Sequence, residues 1–144
     1  MNSERGSVFT ILRRRDGKFL FQFRDSNVLA GTLQLSFFGG GIDATDADAL
    51  AAAKRHAERE LHLQLLNGDA RLVAEIVHPM RATPLHICSA KSKILDGRFM
   101  VREGAGAVFL SADEIKLLLN RQDWLTPATT LVVTKILSGE ILLD

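Results

Sequence analysis

The most informative part of the sequence for the fold is residues 37–63, FFGGGIDATDADALAAAKRHAERELHL. Three glycines follow an apolar run, and an alanine-rich segment comes after a short acidic loop. Alanine has the highest helix propensity of all residues. The sequence therefore predicts a strand that the glycines end, and then a helix over residues 48–63. Within it, apolar residues recur three and four positions apart and are expected to form one buried face, at Leu50, Ala53, Ala57 and Leu61.

Segments on both sides of this stretch have the pattern of β-strands. Residues 8–14 and 19–24 flank an Asp16-Gly17 pair, which is a strong hairpin signal. Residues 32–38 are predicted to form the strand that leads into the glycines. Three more strands are expected downstream, at residues 71–78, 85–95 and 106–110.

Two further helices are predicted near the end of the chain. Ser111 and Glu114 have the spacing of a capping box, which predicts a helix over residues 112–120. Thr126 followed by Pro127 predicts the start of a helix that runs to Leu137. The order of strands, helix, strands and two helices predicts an α+β (α/β) fold, a mixed sheet sandwiched between helices. Residues 1–144 are expected to form a single domain.

Composition narrows the class of protein. The chain has 144 residues, of which 47% are hydrophobic and 24% charged, so a folded core is expected. The net charge of +1 argues against a general nucleic-acid binder. No apolar run approaches the roughly 18 residues of a membrane span, and the first residues lack a signal-peptide core. The only cysteine, Cys88, favours a reduced, cytoplasmic setting.

The quoted stretch resembles the Nudix box, G-x5-E-x7-R-E-U-x-E-E-x-G-U, where U is aliphatic. The flanking segments LFQFRDSN and, from Arg102, REGAGAVFLSADEI are similar to those around the box in many Nudix hydrolases. The resemblance covers most of the chain and implies the Nudix fold. It also implies a loop-helix-loop that binds a divalent metal against a pyrophosphate.

The box is degenerate in this sequence. If Gly41 is the first glycine, Arg55 is the box arginine, and Glu60 is the one of four box glutamates that remains. The other three positions then fall on Ala47, His56 and Arg59. If Gly40 is the first glycine, Asp46 takes the first acidic position, at the cost of one inserted residue before Arg55. The sequence leaves both alignments open.

The remaining residue types still allow metal chemistry. Mg²⁺ prefers carboxylate oxygens and water, and residues four apart on a helix, such as His56 and Glu60, share a face. This pair suits a softer metal such as Mn²⁺. The candidate metal ligands are Glu60, Glu103, Asp46 and His56. Arg59 cannot ligate a metal, but its guanidinium can bind a diphosphate in bidentate fashion.

The resemblance also assigns roles to residues. Glu60 is a metal ligand, Glu103 a second ligand or base, and Arg55 an orienting residue, together the catalytic set. Substrate binding is expected from Gly40, Gly41, Arg55 and Arg59. Plainer interpretations stand beside these roles. Arg55 either braces the loop or contacts phosphate. His56 is expected to be an ordinary polar residue, and we expect His56 and Arg59 to lie on an exposed helix face.

Three functions are consistent with these observations. The first is a Nudix-type hydrolase of a nucleoside diphosphate linked to another group, dependent on Mg²⁺ or Mn²⁺ and weakened by the box substitutions. The second is a catalytically inactive Nudix-fold module that binds a nucleotide or a sugar phosphate. The third is a structural homodimer subunit. The small molecule is expected to be a nucleoside diphosphate derivative, and a homodimer is possible for all three.

Overall fold

The structure is a computed structural model that describes residues 5–24, 34–66, 68–91, 95, 106–121 and 123–144. Glu103, a predicted metal ligand, and the end of the predicted 85–95 strand at residues 92–94 lie outside the described residues. The described part contains seven strands and three helices, which are β1 Ser7–Arg13, β2 Phe19–Phe23, β3 Leu35–Ser36, β4 Phe38–Gly41, α1 Ala49–Leu61, β5 Ala70–Val77, β6 Pro84–Lys91, β7 Gly106–Leu110, α2 Ala112–Leu119 and α3 Pro127–Leu137.

The strands form one mixed sheet in the order β3-β2-β1-β6-β5, with β4 also paired to β1 and β7 to β2. The pairs are antiparallel except for β1 and β6, which run parallel from Ser7 opposite Leu85 to Arg13 opposite Lys91. Strand β1 lies in the middle of this order, so other elements must pack on both of its faces.

Helices cover the two faces of the sheet. Ile11 of β1 packs in a buried cluster with Ile115 of α2 and Val132 of α3. The next residue along the strand, Leu12, points to the other face because side chains alternate along a strand. There it packs with Leu61 of α1. The predicted α+β fold with a mixed sheet between helices is therefore confirmed.

The glycine-rich segment is a strand, and the expectation that its glycines end a strand is wrong. Gly39, Gly40 and Gly41 belong to β4 and pair antiparallel with β1, where Val8 lies opposite Gly40. The backbones approach too closely for a side chain. A Cβ on Gly39, whose φ is +146°, would lie 2.0 Å from the carbonyl oxygen of Val8. The glycines therefore permit the strand pairing that carries the start of the box.

Helix α1 begins and ends with identifiable caps. The Asp48 side chain is the N-cap and accepts a 2.8 Å hydrogen bond from the N–H of Ala51. The helix ends at Leu61, two residues before the predicted end, because His62 adopts a left-handed backbone with φ 52°. Its N–H donates to the carbonyl of Glu58 over 3.0 Å. In the alignment that starts from Gly41, the pattern has its second glycine at this position, and glycine is the residue type that favours a left-handed backbone.

The capping signals of the other two helices are also confirmed. Ser111 and Glu114 form the reciprocal capping box of α2, and Thr126 caps α3 just before Pro127. Among the described residues, no helix has the length and apolar character that crossing a membrane requires.

Candidate functional site

Two neighbouring side chains of α1 fix the helix to the glycine-rich strand. Arg55 and His56 both donate a hydrogen bond to the carbonyl oxygen of Gly41, over 3.1 Å and 2.8 Å. The helix packs against β1 and β4 through small residues, of which Ala52 and Ala53 are fully buried. Small side chains allow this close approach, which brings the middle of α1 within hydrogen-bonding distance of β4.

Arg55 forms a bidentate ion pair with Asp46. Its Nε and Nη2 atoms each lie 2.9 Å from a carboxylate oxygen of Asp46, and Nη2 is 3.4 Å from Oδ2 of Asp43. The backbone N–H of Asp43 donates a third hydrogen bond to Asp46, over 2.8 Å. The hydrogen bonds from Arg55 lower the pKa of Asp46 from 3.8 to about 2, and they also raise the pKa of Arg55.

This geometry gives Arg55 a bracing contact with the loop between β4 and α1. Of the two interpretations left open by the sequence, the structure shows the brace. It also bears on the alignment of the box, because Asp46 is buried against α1 whereas Ala47 is exposed. Asp46 is thus the acidic residue that faces the helix. Both of its carboxylate oxygens are already hydrogen-bonded to protein donors.

His56 and Glu60 form a second pair that is almost completely buried. His56 Nδ1 lies 2.8 Å from Glu60 Oε2, and the two side chains are 5% and 0% exposed. The N–H of Gly39 donates to the other carboxylate oxygen, Oε1, over 3.4 Å. The prediction that His56 lies on an exposed helix face is therefore wrong.

Gly40 explains why His56 can be buried. A Cβ at Gly40 would lie 2.6 Å from Cε1 of the His56 ring, a distance that real Cβ atoms do not reach. The absence of a side chain on the strand leaves room for the imidazole between α1 and β4. Neither Gly40 nor Gly41 is in an open loop, since both pair with β1.

The hydrogen-bond partners of His56 define how many protons the pair holds. The carbonyl of Gly41 can only accept, so His56 Nε2 must carry a hydrogen. The Nδ1 to Oε2 contact of 2.8 Å then needs a second proton, on either the imidazole or the carboxyl group. Whichever atom carries it, the pair is neutral as a whole.

Arg59 differs from its two neighbours because its side chain is 59% exposed. Its Nη2 atom lies 3.7 Å from Glu60 Oε2, so the guanidinium lies at the outer side of the buried pair. The expectation of an exposed helix face therefore applies to Arg59 but not to His56. Arg59 is the predicted phosphate contact that the structure leaves accessible to a ligand in solution.

The described residues do not fit a divalent metal ion. They contain no group of three or more His, Cys, Asp or Glu side chains that could hold one. Asp46 is bound by Arg55, and Glu60 is bound by His56 and by the N–H of Gly39. Mg²⁺ needs several oxygen ligands in an octahedral arrangement. The predicted set of Asp46, His56 and Glu60 does not come together as one site, and the contribution of Glu103 stays a prediction.

Comparisons with solved structures identify the fold. The chain is similar to a MutT protein from Methanosarcina mazei, with 13% identity over 93% of each chain and a TM-score of 0.70. It is also similar to RenU, a Nudix hydrolase from M. smegmatis, with 16% identity over 95% of this chain and 86% of that chain and a TM-score of 0.65.

A third similar structure holds ligands. It is a bifunctional NMN adenylyltransferase/ADP ribose pyrophosphatase from Francisella tularensis, complexed with AMP and a manganese ion. The identity is 16% over 92% of this chain and 41% of that chain, with a TM-score of 0.69. No protein-family profile and no curated protein sequence matches the chain. The chain therefore has the fold of the Nudix hydrolases, and the fold implied by the resemblance is confirmed.

Only part of the site was predictable from the sequence. The i, i+4 spacing of His56 and Glu60 correctly predicts that the two side chains meet. It does not show that they satisfy each other instead of a metal. The one signal for the burial of His56 was Gly40, which has no side chain and so leaves room for the imidazole ring. Gly40 lies 16 residues before His56 in the sequence, so the two residues are not a local pattern.

Proposed function

We propose that this chain is a Nudix-fold module that binds a nucleoside diphosphate derivative or a sugar phosphate, and that its box helix does not support metal-assisted hydrolysis. The observation that carries the proposal is the state of Glu60. Its carboxylate is fully buried, and both of its oxygens have protein partners. Fold alone does not define an activity, and the chemistry of these residues supports the binding module over the metal-dependent hydrolase.

The proposed contact for the phosphates is Arg59. Its side chain is more than half exposed, and its Nη2 atom lies 3.7 Å from Oε2 of Glu60. A guanidinium binds two phosphate oxygens through parallel N–H donors without any metal. Arg55 is less suited to this role because its side chain is 31% exposed, against 59% for Arg59.

A weakened metal-dependent hydrolase is the second candidate. It is supported by the similar structures, whose names include a Nudix hydrolase and an ADP ribose pyrophosphatase. Binding of Mg²⁺ or Mn²⁺ would then require Glu103 as well as Glu60. For the whole chain we also propose one domain over residues 1–144 and a cytoplasmic location, since Cys88 is a free, buried thiol. The homodimer stays a prediction that light scattering can test.

Calorimetric titration with ADP-ribose, another nucleoside diphosphate sugar and a nucleoside triphosphate tests the proposal. We expect binding of at least one ligand in EDTA, unchanged by Mg²⁺ and without released product in chromatography. Arg59→Ala should weaken binding about tenfold, since one charge-assisted hydrogen-bonding group is lost. Lys116→Ala, which removes an exposed cation from α2 on the opposite side of the sheet, is the matched control and should bind as wild type does.

The two candidate functions give different results in this assay. Metal-dependent release of a monophosphate, abolished by Glu60→Gln, would replace the proposal with the weakened hydrolase. Absence of binding to every ligand, with and without metal, would contradict both functions.

A further inference from the structure

We infer that the proton shared by His56 and Glu60 takes the place of a metal ion, and that the imidazole ring thereby keeps divalent cations away from Glu60. We call the position of this ring, between the carbonyl oxygen of Gly41 and Oε2 of Glu60, the imidazole site. The inference deepens the proposed function, on which it rests, by naming the group that prevents metal binding.

The imidazole site is lined by oxygen atoms. The carbonyl oxygen of Gly41 and the carboxylate oxygen of Glu60 each lie 2.8 Å from a ring nitrogen. Both are hard oxygen ligands of the kind that Mg²⁺ and Mn²⁺ use. The other oxygen of Glu60 accepts the N–H of Gly39, which fixes the orientation of the carboxylate. Without the ring, the Glu60 oxygen would lose this partner, and the Gly41 oxygen would keep only the hydrogen bond from Arg55.

Charge explains why the ring is needed. A fully buried carboxylate without a partner is strongly unfavourable, and Glu60 is 0% exposed. A metal ion would supply the missing positive charge, and in this chain a proton supplies it instead. Arg59, 3.7 Å from the same carboxylate oxygen, adds a fixed positive charge on the outer side. A cation that approaches Glu60 from solvent therefore meets repulsion as well as an occupied position.

Packing makes the replacement complete. The ring lies so close to β4 that a Cβ on Gly40 would be 2.6 Å, 3.0 Å and 3.2 Å from three of its atoms. Interiors packed this closely hold no additional ion. Removal of the ring, in contrast, would open space next to both oxygen atoms. The structure therefore predicts a latent cation site that appears only when His56 is truncated.

Titration of the protein with Mn²⁺ alone, followed by the electron paramagnetic resonance signal of the free ion, tests this inference. Because no nucleotide is present, its outcome is independent of whether the proposed ligand binds. We expect wild type to bind Mn²⁺ no more tightly than millimolar. His56→Ala should bind at least tenfold more tightly, and His56→Ala combined with Glu60→Gln should return to the wild-type level. His62→Ala, at an exposed histidine beyond the end of α1, is the matched control and should behave as wild type.

The inference is overturned if wild type binds Mn²⁺ as tightly as His56→Ala and loses that binding in Glu60→Gln. It is also overturned if a folded His56→Ala gains no affinity. Should His56→Ala be unfolded by circular dichroism, Mn²⁺ should refold it reversibly, because a ligand of the native state stabilises that state. Failure of Mn²⁺ to refold it would likewise overturn the inference.

Discussion

Arg55 and His56 are adjacent on α1 and donate to the same carbonyl oxygen, yet they build two different kinds of contact. The Arg55 pair with Asp46 braces the loop between β4 and α1, with the Arg55 side chain 31% exposed. The His56 pair with Glu60 is buried and occupies two positions at which the box has carboxylates. The comparison shows that one pair braces a loop and stays partly exposed, whereas the other pair is a closed internal contact between α1 and β4.

The largest effect is expected from placing a second carboxylate in the buried pair. His56→Glu should lower the free energy of unfolding by about 3–5 kcal/mol at neutral pH, because two buried carboxylates would face each other and Gly41 would lose a donor. Arg59→Gln is the matched control on the exposed side and should change stability by less than about 1 kcal/mol, the range of an exposed ion pair. Urea unfolding measures both. Equal effects of the two substitutions would contradict the burial of His56.

The next effect comes from filling the space that the His56 ring needs. Gly40→Ala should destabilise by about 1–3 kcal/mol, since the new methyl group overlaps the ring and forces it to move. Gly41→Ala provides the control on the next residue, because its Cβ would meet no atom within 4 Å. Its effect should stay within about 0.5 kcal/mol. Thermal unfolding of the two variants side by side is sufficient, and a reversed order would show that the ring does not lie over Gly40.

Asp46→Asn tests the ion pair between Arg55 and Asp46 through the pH dependence of the unfolding free energy. The folded pKa of Asp46, about 2, lies below its ordinary value of 3.8, so the carboxylate stabilises the fold above about pH 4. The variant should be about 1–2 kcal/mol less stable than wild type at pH 6. This difference should shrink as the pH falls from about 4 towards 2, where wild type also becomes protonated.

The control for Asp46→Asn is Asp48→Asn, because asparagine caps a helix as well as aspartate does. Urea unfolding at several pH values should show no significant change for this second variant. A pH-independent difference between wild type and Asp46→Asn would mean that the pair with Arg55 does not depend on the charge of Asp46.

The smallest effect concerns the end of the helix that carries both pairs. His62→Gly should stabilise by about 0.5–1 kcal/mol, because glycine adopts the left-handed backbone with φ 52° without strain. Glu58→Gly, an exposed position inside the same helix, should instead destabilise by about 1 kcal/mol. Opposite signs in chemical denaturation would place residue 62 at the second box glycine. If both variants changed stability in the same direction, the alignment that places residue 62 at the second glycine of the box pattern would be contradicted.

Local signals in the sequence predicted most of the fold. The hairpin at Asp16-Gly17, the capping box of Ser111 with Glu114, and Pro127 at the start of α3 each depend on a few adjacent residues. Such features are readable because their energies come from neighbouring backbone and side-chain groups.

Features that depend on distant partners were not predictable. The glycines of β4 continue a strand because Val8, about thirty positions earlier, lies opposite Gly40. The burial of His56 depends on Gly40 in the same way. The box pattern located Arg55, His56 and Glu60 on one helix, but only the packing of that helix on β4 shows which of them remain open to a ligand.

A double-mutant cycle on His56 and Glu60 tests the central claim most directly. Unfolding free energies of wild type, His56→Ala, Glu60→Ala and the double variant give the coupling energy between the two side chains. Because His56 and Glu60 are each other's buried hydrogen-bond partners, we expect a coupling energy of about 2–3 kcal/mol. The double variant should then be far more stable than the sum of the two single losses implies. Additive losses, to within about 0.5 kcal/mol, would contradict a direct contact between His56 and Glu60.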